Sequence, residues 1–221
     1  MTLEGLFEAV VRELRARNVT FAIAGGLAAD LYRVNHRLTG DVDVLLLAGD
    51  QTLEMAEEIL RALSLKPAIA READLAGGPL FAIRGGRTKP CMVVGRPEGK
   101  PHGLGVDILL PTLAWVTDAV RRAQQNPVDF GFGSVPTMLV EDVIIAKLAA
   151  LKNCSSRFKD LDDLSSIFQK GELLDMPYLT GQMQRFSLAL PKVVRAEAPE
   201  PLRLISRDIE RGRRGCRGGA L

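Results

Sequence analysis

Histidine is nearly missing from this chain, cysteine is scarce, and no apolar run is long. The two histidines, His36 and His102, stand alone, and no zinc-ligand spacing links them. The three cysteines, Cys91, Cys154 and Cys216, are odd in number and scattered, which excludes an obvious disulfide framework. Cys154, in "KNCSSR", lacks a companion base, which argues against a thiol nucleophile. No stretch approaches the roughly 20 apolar residues that a membrane span needs. The opening "MTLEGLFEAVVRELRARN" breaks its apolar positions with charge, unlike a signal peptide. Neither sign of charge dominates: a formal net charge of +2 does not by itself mark a nucleic-acid binder. These absences predict a soluble, cytoplasmic protein with no membrane partner.

What is present is an ordinary globular composition, 47% hydrophobic and 25% charged, over 221 residues. That length suits one larger domain and a small one. Leu3, Leu6, Phe7, Val10 and Leu14 recur at helical spacing, so the first element is an amphipathic helix ending near Asn18. "TFAIAGG" reads as a buried strand entering a glycine turn, "LAADLY" as a short helix, and "DVDVLLL" as the second strand. A helix over "QTLEMAEEILRALSL" follows, then strands at "PLFAI", "CMVVG" and "GVDILL", the last two joined by the long loop "GRPEGKPHGLG". The helix "TLAWVTDAVRRAQ" and a strand over 134–139 close this part. From Glu141 onward the pattern is helical only, which divides the chain into 1–140, 141–210 and a flexible arginine- and glycine-rich tail at 211–221.

Chemistry concentrates in "TGDVDVLLL". Successive strand residues point to opposite faces, so Asp41 and Asp43 share a face about 6–7 Å apart. Two ionised carboxylates that close repel, and a divalent cation is the usual remedy; magnesium takes one or two carboxylates together with phosphate oxygens. The plain alternative is a solvated strand start. Upstream, Gly25 and Gly26 join a strand to a helix, an arrangement whose outward N–H groups suit an anion or serve merely as a turn. Asp107, in "GVDILLP", is a third isolated acid within a strand-like apolar run.

"GGLAADLY…RLTGDVDVLL" resembles the signature of the polymerase-beta-type nucleotidyltransferase superfamily, with Asp107 matching its third acid. "VEDVIIAKLAALKNCSSRFKDLDDLSSIF" resembles a segment of the branch containing the abortive-infection type E (AbiEii-like) toxins of toxin–antitoxin systems. The resemblance spans residues 20–168 and departs from the pattern twice. "YRVNHRLTGD" carries an extra residue around Arg37 and Thr39, and Gly-Gly replaces the usual Gly-Ser.

The resemblance implies an α+β nucleotidyltransferase fold followed by a helical domain. It also implies transfer of a nucleoside monophosphate from a triphosphate to an RNA or protein acceptor, with a cognate antitoxin as partner. Asp41, Asp43 and Asp107 would be both catalytic and metal-holding in a two-metal magnesium site, with manganese as an alternative. Gly25 and Gly26 would receive phosphates, joined by Arg37, Thr39, Lys147 and Asp160 as nucleotide contacts. Lys147 otherwise lies on an apolar helical stripe, from which a lysine commonly reaches toward water. Asp160 otherwise reads as a helix-start acid beside the dipole, and Asp163 as helix structure or a surface acid.

Rival functions are an aminoglycoside-type small-molecule transferase and a non-catalytic nucleotidyltransferase-like module. Arg84, Arg87, Lys89, Arg96 and Lys100 read as a basic loop suited to a phosphate-bearing acceptor, or as a solvated one. Six arginines from Arg203 to Arg217 read as an RNA-attracting tail or as an idle terminus.

Overall fold

The computed structural model describes residues 2–71, 89–100 and 103–215. The expected strand "PLFAI", with Arg84, Arg87, His102 and Cys216, lies outside the described residues. Two compact units divide the chain: 1–31 with 37–139, and 32–36 with 140–221.

The first unit is α+β. In chain order it contains α1 (Leu3–Ala16), β1 (Thr20–Ile23), α2 (Gly25–Asp30), β2 (Asp41–Leu47) and α3 (Thr52–Ala62), then β3 (Lys66–Arg71), β4 (Pro90–Arg96), β5 (Gly105–Leu109), α4 (Val116–Ala123), β6 (Pro127–Asp129) and β7 (Ser134–Pro136). Among the described residues, five strands form one mixed sheet in the order β1-β2-β5-β4-β3, in which β2 and β5 run parallel and the other described pairs antiparallel. Strand alternation sorts the faces. Val42, Val44 and Leu46 of β2, Val93 of β4, and Val106 and Ile108 of β5 join the apolar stripes of α1 and α3 in one core.

The other face of β2 changes character along its length. Leu45 is fully buried, and α4 packs against β1 and β2. Nearer the strand start, Asp41 and Asp43 occupy the same face and are only partly buried. The sheet is therefore covered at one end of this face and carries carboxylates at the other.

Three strands, β3, β6 and β7, differ from the sequence reading. β3 is an edge strand with an irregular pattern of exposure, held by pairing with β4. The strand expected over 134–139 is the short β7; it pairs with β6 in a separate two-stranded ribbon rather than completing the main sheet, and touches β1 through an Ile23–Thr137 bridge.

The second unit holds α5 (Val140–Asn153), α6 (Phe158–Lys170), α7 (Met176–Arg185) and α8 (Glu200–Gly215). Val143, Ile144, Leu148 and Leu151 of α5 are buried, as are Leu164 and Ile167 of α6, Leu179 and Met183 of α7, and Leu202 of α8. Gly171 ends α6 in the left-handed conformation, at φ 71°, where glycine carries no Cβ penalty. The tail expected to be flexible from residue 211 is helical to Gly215. The segment 32–36, expected in the first domain, belongs to this unit.

Candidate active site

The register of the parallel pair brings the first three acids together. Asp43 is the partner of Asp107 across β2 and β5, and Asp41 is the partner of Gly105. Adjacent strands lie roughly 4.8 Å apart, and i, i+2 neighbours about 6–7 Å, so three carboxylates root on one small patch of sheet. This arises because each acid falls on the face that its neighbouring valine or isoleucine avoids.

The glycine turn abuts that patch. Gly25 has φ 58°, and a Cβ built there would lie 1.8 Å from Asp43 Oδ2. No other residue type fits without moving the carboxylate. The Gly26 N–H donates to Asp43 Oδ2 at 3.4 Å, so α2 turns a backbone donor toward the acid. A Cβ on Gly26 would meet Thr39 Oγ1 at 2.7 Å and Arg37 Nη2 at 3.5 Å, which places both expected nucleotide contacts against the glycine pair. The Thr39 hydroxyl donates to the Asp41 carbonyl at 3.3 Å, and the Arg37 N–H donates to Asp30 Oδ1 at 3.0 Å.

Arg96 corrects the reading of a basic loop. It is the last residue of β4, and its guanidinium turns onto the carboxylates. Nη1 donates to Asp107 Oδ1 at 2.7 Å, Nη2 lies 3.4 Å from Asp107 Oδ2, and Nη2 stands 3.3 Å from Asp41 Oδ1. Burial pushes the Asp107 carboxyl above its ordinary range, opposed by the hydrogen bond and charge of Arg96 and reinforced by the charge of Asp41. Burial acts to lower the Arg96 pKa, but the hydrogen bond and charge of Asp107, then the charges of Asp41 and Asp43, outweigh it and raise it. No sequence motif flags Arg96. Only the β4–β5 register, which sets Val94 opposite Asp107, reveals that Arg96 shares the acids' face.

Lys147 and Asp160 come together, in the second unit. Lys147 Nζ lies 3.0 Å from Asp160 Oδ1 and also pairs with Asp163. Arg157 reaches back to Asp160, while Arg33 bridges Asp163 and, at 2.7 Å, Asp162. Asp163, expected as helix structure or a surface acid, is fully buried, and Lys147 is ion-paired rather than reaching for water. The segment carrying Arg33 is tied down again where the Val34 N–H donates to Ser166 Oγ at 3.0 Å.

Among the described residues no three His, Cys, Asp or Glu side chains are gathered as a ready-made metal cage. The donor set on the sheet nevertheless fits magnesium. Its oxygens are hard carboxylate ligands, and magnesium uses few of these when substrate phosphates supply the rest. The Arg96 guanidinium already marks this face as one that holds a cation.

No protein-family profile matches the sequence, and no curated protein is similar to it. Solved structures do match in shape. The antibiotic-resistance factor ANT(2'')-Ia aligns over 97% of this chain and 95% of its own, at 13% identity and TM-score 0.50. An antigenic nucleotidyltransferase-like protein from Paracoccidioides brasiliensis aligns over 98% and 90%, at 16% identity and TM-score 0.47. JHP933 from Helicobacter pylori aligns over 97% and 95%, at 14% identity and TM-score 0.43. The α+β architecture of this chain is the nucleotidyltransferase fold.

Proposed function

We propose that this protein is a magnesium-dependent nucleotidyltransferase. It moves a nucleoside monophosphate from a nucleoside triphosphate to a hydroxyl of RNA or protein, breaking the α–β phosphoanhydride bond and releasing pyrophosphate, as the toxin of a toxin–antitoxin pair. The observation that carries the enzymatic part is the register of Asp43 against Asp107, with Asp41 on the same face and the Gly25-Gly26 turn against Asp43. The acceptor and the toxin role rest on the sequence resemblance over residues 20–168.

In this reading Asp41 and Asp43 would hold the divalent cations, joined by Asp107. When bound, magnesium or manganese supplies Lewis-acid stabilisation of charge on the phosphoryl oxygens and acidifies the acceptor hydroxyl. Asp107 is the base for that hydroxyl's proton. Gly25 and Gly26 let the triphosphate approach the backbone, flanked by Arg37 and Thr39. Lys147 and Asp160 take a structural part: their charges order the start of α6 within the helical unit.

A small-molecule acceptor is the second reading, and one observation favours it. Arg96 serves the carboxylates, so the described part of the expected basic loop keeps Lys89 and Lys100. A non-catalytic module is the third, against which stand three acids on one face.

The test incubates the protein with magnesium and each labelled triphosphate in turn, with total RNA, total protein and an aminoglycoside panel. Label in RNA or protein is the expected result, and label in an aminoglycoside moves the assignment to the second reading. No labelled product, with tight nucleotide binding retained, leaves the binding module.

A further inference from the structure

Arg96 is more than a counter-ion that happens to be near. Across the sheet, β2, β5 and β4 set Asp43, Asp107 and Val94 in one row. In the next row Asp41 faces Gly105, and Arg96 lies beside that glycine. The missing side chain at Gly105 makes room for the arginine: a Cβ there would lie 2.2 Å from Arg96 Nη1 and 2.7 Å from its Cδ. The guanidinium thus lies across β5, over Gly105, and engages two of the three acids at once, at 2.7 Å from Asp107 and 3.3 Å from Asp41. A strand arginine at a solvated edge has no need of such a path, because its head reaches water on its own flexible stem.

We propose that Arg96 is the resident cation of the carboxylate face: a divalent cation must displace it from Asp107 and Asp41, so metal loading depends on the nucleotide. This rests on the nucleotidyltransferase reading above. A guanidinium and a divalent ion cannot share the same oxygens, because like charges a few ångströms apart repel strongly in a partly buried site. A triphosphate changes that balance. It brings several negative charges, and arginine's planar fork binds phosphate oxygens as well as carboxylate. Displaced from Asp107, Arg96 takes a phosphate oxygen instead, and the metal takes the carboxylates. Arg96 is therefore a positioning residue that makes the metal and the nucleotide bind together.

The test measures Mn2+ binding directly, by the electron paramagnetic resonance of free Mn2+, on the full chain. Wild type, R96M, R96Q and D43N are compared, first alone and then with each of four non-hydrolysable nucleoside triphosphates, each read against the same Mn2+ and nucleotide without protein. R96M keeps the aliphatic stem and removes the charge; R96Q keeps hydrogen-bonding capacity and serves if R96M fails to fold by circular dichroism. Without nucleotide, the charge-removed variant should bind Mn2+ at least about tenfold more tightly than wild type, within the range of coupled sites. With the preferred nucleotide that gap should narrow, because the phosphates add metal ligands in both proteins but only wild type also gains the release of Arg96 from the carboxylates. Equal affinity of wild type and a folded variant without nucleotide would overturn the role of Arg96 while leaving the metal site standing. No Mn2+ binding by any of the proteins, with or without nucleotide, would overturn the metal site and the enzymatic reading with it.

Discussion

On the sheet, Arg96, Asp107 and Asp41 hold one another with side chains 22%, 16% and 39% exposed. In the helical unit, Arg33, Lys147, Asp160 and Asp163 do so at 0–10%. Both clusters join acids to bases at hydrogen-bonding distance, yet water reaches the first throughout and the second only at its rim, through Arg157 and Asp162. A half-exposed pair opens at small cost, because solvent takes over each partner. A buried pair opens at large cost, because the abandoned charge has nowhere to go. The same chemistry therefore serves exchange in one place and fixity in the other.

The comparison breaks most sharply at Asp43. Asp43→Ala should cost at least about a thousandfold in transfer, the size of several kcal/mol of lost charge stabilisation. Its urea-unfolding free energy should stay within about 1 kcal/mol of wild type, as for other partly exposed sites without an apolar packing role. Retained transfer would remove the acid from the site.

Asp163→Ala should do the reverse, losing about 3–5 kcal/mol in the same denaturation experiment by removing the buried carboxylate that Arg33 and Lys147 share. Lys147→Met combined with Asp163→Leu should recover part of that loss, since paired apolar replacements leave fewer stranded charges. A loss below about 1 kcal/mol for Asp163→Ala would place this cluster with ordinary surface pairs.

Gly25→Ala should cost about 1–2 kcal/mol from its left-handed backbone alone. It should also lower transfer, because the new methyl displaces the Asp43 carboxylate. Wild-type activity in a destabilised Gly25→Ala would show that Asp43 tolerates movement. The smallest effect belongs to Arg96→Met, whose unfolding free energy should fall by less than about 1 kcal/mol, as a partly exposed pair implies.

Much of the sheet site is legible in the sequence alone. Alternation alone places Asp41 and Asp43 on one face, and an isolated acid in "GVDILL" points to Asp107. The helical unit's existence and the acids' shared strand face follow from local periodicity. What depends on register or distance along the chain was not legible. Arg96 reads as a loop cation until β4 is set against β5. β3 escaped because Lys66–Arg71 buries no regular face and is held by pairing instead. Lys147 stands out on its apolar stripe, but nothing nearby in the sequence announces Arg33 as a member of its cluster.

The placement of Arg33 also has a consequence for synthesis. Its partner Asp163 lies 130 positions later in the chain. At ribosomal rates of about 5–20 residues per second, the arginine emerges roughly 6–26 s before the carboxylate that will bury it. Because 32–36 belongs with 140–221, the chain passes out of the first unit and back again before the larger sheet is built. A nascent chain must therefore hold this short segment open while more than a hundred residues fold around its two ends. A fragment beginning at Val140 would be released without the arginine that completes its interior, and its Asp163 would depend on Lys147 for compensation.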